Sequence, residues 1–237
     1  MTIYYLPITP RPWNHIDTML LSYVSDERKS RISRFKFVPD QKLSLYAALL
    51  TRMAIIEHTH MSNQDLHFST NRNQKPYLIS DHQLDFNFSH TRNAILCSIS
   101  SHACVGTDIE AIQNAPLEVM PHVFHPFEIQ YVTHSNALQD KRFFEIWTKK
   151  EAYTKNSGIG LTCDLVSINT MDSVMASHFY TWQEDSYICS VYASSPVSVH
   201  YQKITEPDIV NYPLSKANGL PASSSSQPTN STGVNSG

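Results

Sequence analysis

The stretch from residue 143 to 157 constrains the fold most, because it combines a helical pattern with charges on an apolar side. Its sequence, FFEIWTKKEAYTKNS, is rich in helix formers, and Gly158 and Gly160 follow as a predicted stop. Positions i, i+3, i+4 and i+7 share a helix face. Counted from Phe144, that face carries Trp147, Thr148, Glu151 and Lys155. The helix therefore turns a carboxylate toward the side that its aromatic residues bury.

Glu151 has two interpretations at this point. A solvated Glu151–Lys155 pair, four residues apart, contributes only about 0.2–0.5 kcal/mol to helix stability. A buried carboxylate without a partner costs roughly several kcal/mol, so its burial would indicate a function. A second acidic cluster in the chain favours the functional interpretation.

That cluster lies in residues 106–110, GTDIE, between short apolar stretches that predict strands. On a strand, Asp108 and Glu110 point to the same side. Adjacent carboxylates repel unless a cation or a proton lies between them, and Gly106 permits close approach of another backbone or a ligand. Asp-x-Glu alone is weak evidence. Together with Glu151 it predicts three oxygen ligands for a hard cation, for which Mg²⁺ fits best.

A second charged feature is the basic face of a predicted helix that follows Ser25, an expected N-cap. Arg28 and Arg31 share this face. It is either a solvated cationic surface or a phosphate clamp, for which the guanidinium fork is well suited.

The two acidic motifs together resemble the signature pair of the 4′-phosphopantetheinyl transferases, at the spacing of the surfactin-synthetase-activating (Sfp-type) branch. The pair is GTDIE at 106–110 and WTKKEA at 147–152, followed by Lys155 and by GIGL at 158–161. Further stretches agree over about residues 1–205: QKPY at 74–77 resembles the family's Gly-Lys-Pro turn, NFSH at 87–90 its Asn-x-Ser-His strand, and FHPFE at 124–128 its Phe-x-x-x-Glu segment.

The resemblance implies a set of site residues. The Mg²⁺ ligands are expected to be Asp108, Glu110 and Glu151, and the catalytic residues Asp108, Glu151 and Lys155. The side chains expected to bind coenzyme A are Arg28, Arg31, Ser44, Lys75, Ser89, His90 and Lys155. The metal and Lys155 are further expected to lower the pKa of Glu151.

The implied reaction moves the 4′-phosphopantetheine arm of coenzyme A onto a serine of an acyl, peptidyl or polyketide carrier protein, and it releases 3′,5′-ADP. Either Glu151 or a water on the metal would remove the serine proton. Two other functions stay open: a non-catalytic carrier-protein or nucleotide-binding module with the same fold, and a different Mg²⁺-dependent enzyme acting on nucleotides. The carrier and the pathway are not identified by the sequence.

The expected fold is α+β, with two similar subdomains related by a pseudo-twofold axis and the active site between them. Each subdomain is predicted to be a small antiparallel sheet packed with helices. Residues 1–100 would bind the nucleotide of coenzyme A, and residues 101–212 would carry the metal and the catalytic helix. Residues 213–237 are predicted to be a disordered tail, because they are rich in Ser, Gly and Pro. Apolar residues within 111–125 are expected either to contact the carrier or to pack in the core.

Composition limits partners and location. The net charge of -3 argues against general nucleic-acid binding. The chain has no run of about 18 apolar residues and no basic start with a long apolar segment, so neither a membrane helix nor a signal peptide is expected. The cysteines, which lack Cys-x-x-Cys spacing, are expected to be reduced and buried: Cys97, Cys104, Cys163 and Cys189. We therefore expect a cytoplasmic monomer.

Overall fold

Two sheets, each packed against one long helix, form the frame of the molecule. The computed structural model describes residues 1–80, 82–157 and 164–217, with the backbone alone for 213–217. Its strands and helices in chain order are β1 (Thr2–Pro7), α1 (His15–Leu20), α2 (Asp26–Ser33), α3 (Val38–Thr59), β2 (Phe68–Thr70), β3 (Pro76–Leu78), β4 (Asp85–Thr91), β5 (Ala94–Ser100), β6 (Val105–Ala111), α4 (Met120–Val123), α5 (Pro126–Thr133), α6 (Gln139–Ser157), α7 (Ser173–Ala176), β7 (Phe179–Glu184), β8 (Tyr187–Ala193), β9 (His200–Lys203) and α8 (Glu206–Ala217).

The first sheet has the order β4-β5-β1-β9. Strands β4, β5 and β1 are antiparallel, whereas β9 pairs with β1 in parallel, Thr2 opposite His200. Because side chains alternate along a strand, β1 serves two cores. Tyr4 and Leu6 pack on the side of α3, and Ile3 and Tyr5 pack against the second sheet. The first sheet is thus buried on both faces.

The second sheet is antiparallel, in the order β6-β8-β7. Helix α6 packs on β6 and β8, and its buried Phe143 and Ile146 join Ile188 of β8 in a third core cluster. The architecture confirms the predicted α+β class, with two subdomains that each combine antiparallel strands with helices. Within the described ranges, no helix is long and apolar enough to cross a membrane.

Helix α6 is anchored by a buried ion pair. The ammonium group of Lys150 lies 2.8 Å from Oε2 of Glu128, and both side chains are at most 2% exposed. Lys150 also donates to the carbonyls of Leu165 at 2.7 Å and Ile168 at 2.6 Å, while Glu128 Oε1 accepts from Thr170. A buried pair is tolerated when further hydrogen bonds satisfy both charges. The pair therefore fixes the orientation of α6 at the residue before Glu151.

The apolar pattern of residues 165–169 predicts a strand, but this prediction is wrong, and the same contacts explain why. The chain forms a short 3-10 turn at Leu165–Ser167, because Lys150 takes carbonyl groups that a strand would offer to a neighbour. The predicted burial of the cysteines is also wrong at one position, since Cys97 and Cys189 are buried but Cys104 is exposed. Cys163 lies outside the described residues.

The chain end beyond residue 200 returns to the first subdomain. Strand β9 extends the first sheet, and α8 packs on α3 with Ile209 only 1% exposed. The predicted disordered tail at 213–237 is wrong at its start, because α8 continues to Ala217; residues 218–237 lie outside the described part. The predicted boundary at residue 100 falls between β5 and β6, but residues 200–217 add to the first of the two units.

Candidate active site

The two sheets meet along a seam between the edge strands β4 and β6. The seam is closed by side chains of β4, at every second position, that hydrogen-bond to β6. These bonds are Asp85 Oδ2 with the Val105 N–H (2.6 Å), Asn87 Oδ1 with the Thr107 N–H (2.9 Å), the Ser89 hydroxyl with Asp108 Oδ1 (2.9 Å) and the Thr91 hydroxyl with Glu110 Oε2 (3.3 Å). Because the period of a strand is two residues, a single face of β4 supplies the whole seam.

Asp108 is the centre of the seam. Its carboxylate is 2% exposed, and Oδ1 lies 2.6 Å from the ammonium group of Lys155 on α6. Lys155 also donates to Ser89 Oγ at 3.0 Å. The other oxygen, Oδ2, is buried and has no hydrogen-bond partner among the residues that the structure describes. A buried charged oxygen without a partner is costly, so this atom marks a place for a cation or a donor.

The other two predicted carboxylates lie in the field of Asp108. Burial and then the charge of Asp108 raise the pKa of Glu110 to about 7, against the hydrogen bond from Thr91. Burial and Asp108 likewise raise the pKa of Glu151, and Lys155 opposes this shift. In the protein without metal, desolvation of the carboxylate outweighs the lysine, and the lowering of this pKa expected from metal and Lys155 together stays a prediction.

The donor set fits a hard divalent cation. Glu110 and Glu151 have raised pKa values, and Asp108 beside them has an oxygen without a partner among the described residues. Mg²⁺ accepts such carboxylate oxygens as ligands. Over the described ranges, no three acidic, histidine or cysteine side chains already stand close enough together to hold an ion. Lys155 instead supplies the positive charge next to Asp108.

A cavity of about 490 Å³ opens in the first subdomain, and both arginines predicted to bind phosphate line it. Arg28 and Arg31 reach it from α2, whose N-cap is Ser25 as predicted. Burial and the charge of Arg31 lower the pKa of Arg28. The cost of holding two cations so close falls when an anion binds between them.

His90 is a further basic residue that the sequence predicts to bind coenzyme A. Its ring is partly in solvent, but burial of the remainder and then the charge of Lys155 lower its pKa, with Arg31 and Arg28 adding to the effect. His90 shares its face of β4 with Phe86 and Phe88, which line the cavity, while Ser89 on the opposite face accepts from Lys155.

Two of the predicted coenzyme A ligands are placed differently. Ser44 is buried on α3 at 4% exposure and does not line the cavity, which α3 instead reaches one to two turns later through Ala48, Thr51 and Arg52. Lys75 turns its ammonium group to protein acceptors, the nearest being Asp85 Oδ2 at 2.7 Å. The cavity wall beside it comes from Gln74 and Pro76.

Several lining residues were missed by sequence reasoning. Arg52 is 8% exposed, its guanidinium lies 5.1 Å from the ring centre of Phe68, and it donates to Asn63. The sequence could have indicated Arg52, because an arginine within the apolar stripe of α3 is a buried cation, and a buried cation requires a partner or a function. The aromatic walls gave no such signal, because Phe68, Phe86 and Phe88 have the spacing of ordinary core residues.

Of the apolar residues in segment 111–125, expected either to pack in the core or to contact the carrier, some are fully buried and others are not. Met120 and Phe124 are 6% and 0% exposed and belong to the third core cluster, so for them core packing is the answer. Leu117 and Val119 are half-buried against the same cluster. The exposed aromatic residue nearby is Phe127, at 60% exposure at the start of α5.

Comparison with known proteins gives the family. The family profile described as "4'-phosphopantetheinyl transferase, N-terminal" matches residues 10–102, and the profile of the 4'-phosphopantetheinyl transferase superfamily matches residues 104–203. The chain belongs to the 4′-phosphopantetheinyl transferase superfamily.

Its relatives further assign it to the Sfp type. The 4'-phosphopantetheinyl transferase gsp of Aneurinibacillus migulanus is 34% identical over 62% of this chain. The enzyme Sfp of Bacillus subtilis (strain 168) is 27% identical over 74% of this chain and 84% of its own length. Psf-1 of Bacillus pumilus is 31% identical over 62% of this chain. The matches span 61% of gsp and 64% of psf-1, less than two thirds of either.

Proposed function

We propose that the protein is an active, Mg²⁺-dependent 4′-phosphopantetheinyl transferase. It transfers the 4′-phosphopantetheine arm of coenzyme A to a serine hydroxyl of a carrier protein and releases 3′,5′-ADP. The observation that carries the proposal is Asp108, with one oxygen on Lys155 and Ser89 and the other buried without a partner, beside Glu110 and Glu151.

The basic groups near the cavity and the seam support the proposed binding of a nucleotide diphosphate. Arg28 and Arg31 at the cavity would hold phosphate groups, and His90 and Lys155 would continue the positive region toward Asp108. Transfer of a phosphoryl-type group depends mainly on such positioning and charge stabilisation. The cavity volume of about 490 Å³ lies within the range of small-molecule sites.

Asp108, Glu110 and Glu151 would hold Mg²⁺, which when bound neutralises charge on the diphosphate. In the reaction, the serine oxygen forms a bond to the phosphorus next to the pantetheine arm, and the bond from that phosphorus to the bridging diphosphate oxygen breaks. Lys155 would stabilise the charge left on the departing 3′,5′-ADP. Glu151, which shares its face of α6 with Lys155, would also take the serine proton.

The partners of this reaction are coenzyme A and an acyl, peptidyl or polyketide carrier protein. We propose that the carrier contacts Leu117, which is half-buried, and Phe127, which is exposed. The protein would act as a monomer in the cytoplasm.

The test is intact-mass spectrometry of apo-carrier proteins of the three classes after incubation with the full chain, coenzyme A and Mg²⁺. We expect one phosphopantetheine adduct per carrier, lost with a serine-to-alanine carrier and with excess chelator. Arg28→Gln should raise the Michaelis constant for coenzyme A, while Lys29→Gln is the matched control, because Lys29 pairs with Asp26 on the exposed side of α2. Binding of coenzyme A without transfer to any carrier would instead identify a non-catalytic binding module.

A further inference from the structure

Lys75 is a largely buried cation of the first subdomain whose ammonium group is bound by the protein itself. Its ammonium group donates to Asp85 Oδ2 at 2.7 Å, to the Val105 carbonyl at 2.9 Å and to the Asn156 carbonyl at 3.3 Å. The side chain is 9% exposed. A lysine has three N–H donors and no acceptor, so every donor of Lys75 already has a protein acceptor.

The three acceptors belong to three different elements. Asp85 begins β4, Val105 begins β6 and Asn156 lies in the last turn of α6. Asp85 Oδ2 also accepts from the Val105 N–H at 2.6 Å, so the aspartate closes the seam and holds the lysine with one oxygen. A cation at a helix C-terminus interacts favourably with the helix dipole. Lys75 thus joins both edge strands to the end of α6.

The turn that carries Lys75 also forms part of the cavity wall. Gln74 and Pro76, on either side of Lys75, line the cavity together with Arg28 and Arg31. The turn is closed by Asn71, whose side-chain oxygen accepts from the Lys75 N–H at 2.9 Å and whose N–H donates to the Lys75 carbonyl at 3.0 Å. In this one short turn, Gln74 and Pro76 line the cavity, and Lys75 between them contacts α6.

We infer that Lys75 is a positioning residue that fixes the C-terminal end of α6 and couples it to the cavity wall. It acts through α6, which carries Glu151 and Lys155, and it does not bind a phosphate group in this arrangement. Binding a phosphate would require the ammonium group to leave Asp85, which pairs with no other cation among the residues that the structure describes. The inference rests on the proposed function, because α6 is the catalytic helix only if the protein is a transferase.

Kinetics and binding on the full chain separate the two roles. Lys75→Met should lower kcat by roughly tenfold to a hundredfold, the scale expected for a misplaced catalytic group. The Kd for coenzyme A, measured by calorimetry, should stay within about threefold, because no substrate contact is lost. Asp85→Asn should show the same pattern, and the double variant should be no worse than either single one, because the two residues form one unit. Arg72→Met is the matched control: Arg72 is an exposed cation of the same turn and should change neither constant.

Hydrogen exchange provides a readout independent of transfer. Lys75→Met and Asp85→Asn should both increase amide exchange in residues 152–157, and Arg72→Met should not. A tenfold or greater rise in Kd with unchanged kcat in Lys75→Met would assign Lys75 to the substrate and overturn the inference. Additive losses in the double variant would also overturn it. If Lys75→Met does not fold, Asp85→Asn alone carries the kinetic test. Absence of transfer by the unaltered protein would overturn the proposed function, while the exchange data would still decide whether Lys75 fixes α6.

Discussion

Gly106 of β6 lies directly against the backbone of Ala152 on α6. A Cβ atom built on Gly106 would be 1.9 Å from the Ala152 carbonyl oxygen and 2.4 Å from the Asn156 nitrogen. Both neighbours are backbone atoms of a helix, which cannot move aside as a side chain can. The close approach predicted for Gly106 thus concerns a protein backbone, and it brings Asp108, two residues further along β6, within reach of Lys155.

Gly106→Ala should therefore destabilise the protein by about 3 kcal/mol or more, the upper range for overpacking, because α6 must move away from β6. Transfer activity should fall with it, since Lys155 and Glu151 move with the helix. Thermal unfolding and the carrier-modification assay measure the two effects. A variant with wild-type stability would show that α6 and β6 are further apart than described.

Asp108→Asn should abolish transfer while the protein stays folded. The substitution keeps the size and the hydrogen bonds of Oδ1, but it removes the charge that pairs with Lys155 and that raises the pKa values of Glu110 and Glu151. Carrier modification at saturating Mg²⁺ and Mg²⁺ binding by calorimetry, with circular dichroism to check the fold, measure the result. Normal transfer by Asp108→Asn would contradict the assignment of Asp108 to the metal.

Glu151→Gln separates a base from a ligand. If Glu151 removes the serine proton, this variant should bind coenzyme A and Mg²⁺ with near-normal affinity, and its turnover should fall by about 10²–10⁴-fold. Both quantities are measured on one preparation. Glu145→Gln is a suitable control, because Glu145 lies on the same helix and its carboxylate accepts from Tyr131 away from the seam. Normal turnover would exclude the base role, and lost Mg²⁺ binding would show that ligation accounts for the residue.

Gln74→Gly should stabilise the protein. Gln74 has a positive φ of 64°, in the turn that resembles the family's Gly-Lys-Pro sequence but has glutamine in place of glycine. A non-glycine residue at positive φ destabilises the folded state by about 1–2 kcal/mol. Glycine removes this strain, but its greater freedom in the unfolded chain lowers stability by about 0.4–1 kcal/mol. We expect a net gain of up to about 1 kcal/mol, or roughly 2–4 °C in Tm. Gln74→Ala is the control: it removes the same side chain but keeps the strain, so an equal gain in that variant would exclude backbone strain as the cause.

Asp17 should control acid stability. Burial alone would raise the pKa of Asp17, but hydrogen bonds from Arg11, the Asn14 N–H and Tyr46 outweigh it and lower the pKa below the ordinary value of 3.8. A depressed folded-state pKa gives stability that is complete above the unfolded value and is lost as the pH falls through the folded one. The pair should therefore stabilise fully above about pH 5 and progressively less below pH 3.8.

Asp17→Asn should cost about 1–3 kcal/mol at neutral pH, because it removes the buried charge that pairs with Arg11, while Glu206 still pairs with Arg11 at 3.0 Å. Urea unfolding measured from pH 7 to pH 2 should show a flatter acid limb than in the unaltered protein. Asp26→Asn serves as the control, since Asp26 pairs with Lys29 in solvent and should change stability little. Identical acid limbs in Asp17→Asn and the unaltered protein would refute the role of Asp17.

Local patterns were sufficient to predict α2, α6 and β6, because periodicity and capping depend on neighbours in the chain. The set of acidic residues was also predictable, since a shared strand side and a shared helix face determine where Asp108, Glu110 and Glu151 point. The acceptors of the Lys75 ammonium group could not be predicted, because they lie 10, 30 and 81 residues away in the chain. Choices among distant acceptors depend on the assembled fold.

Helix α8 shows a local signal that was overlooked. Thr205 precedes the helix and Asp208 follows three residues later, the spacing of a capping box, and the Asp208 carboxylate accepts from the Thr205 N–H at 2.8 Å. Composition of the residues beyond 213 outweighed this signal in the sequence-based prediction. The raised pKa of Glu151 could not be read from sequence at all, since desolvation depends on the atoms that three-dimensional packing places around it.

The parallel pairing of β1 with β9 has a consequence for how the chain can be made. The ribosome delivers Thr2 long before its partner His200, so throughout most of synthesis one edge of β1 presents unpaired N–H and C=O groups. Such an edge is a template for wrong pairing in a nascent chain. Cutting the gene at residue 100 would make this condition permanent, because the first sheet takes its outer strand from the second half. The two halves thus share a core cluster as well as an outer strand, and they are not independent units of expression.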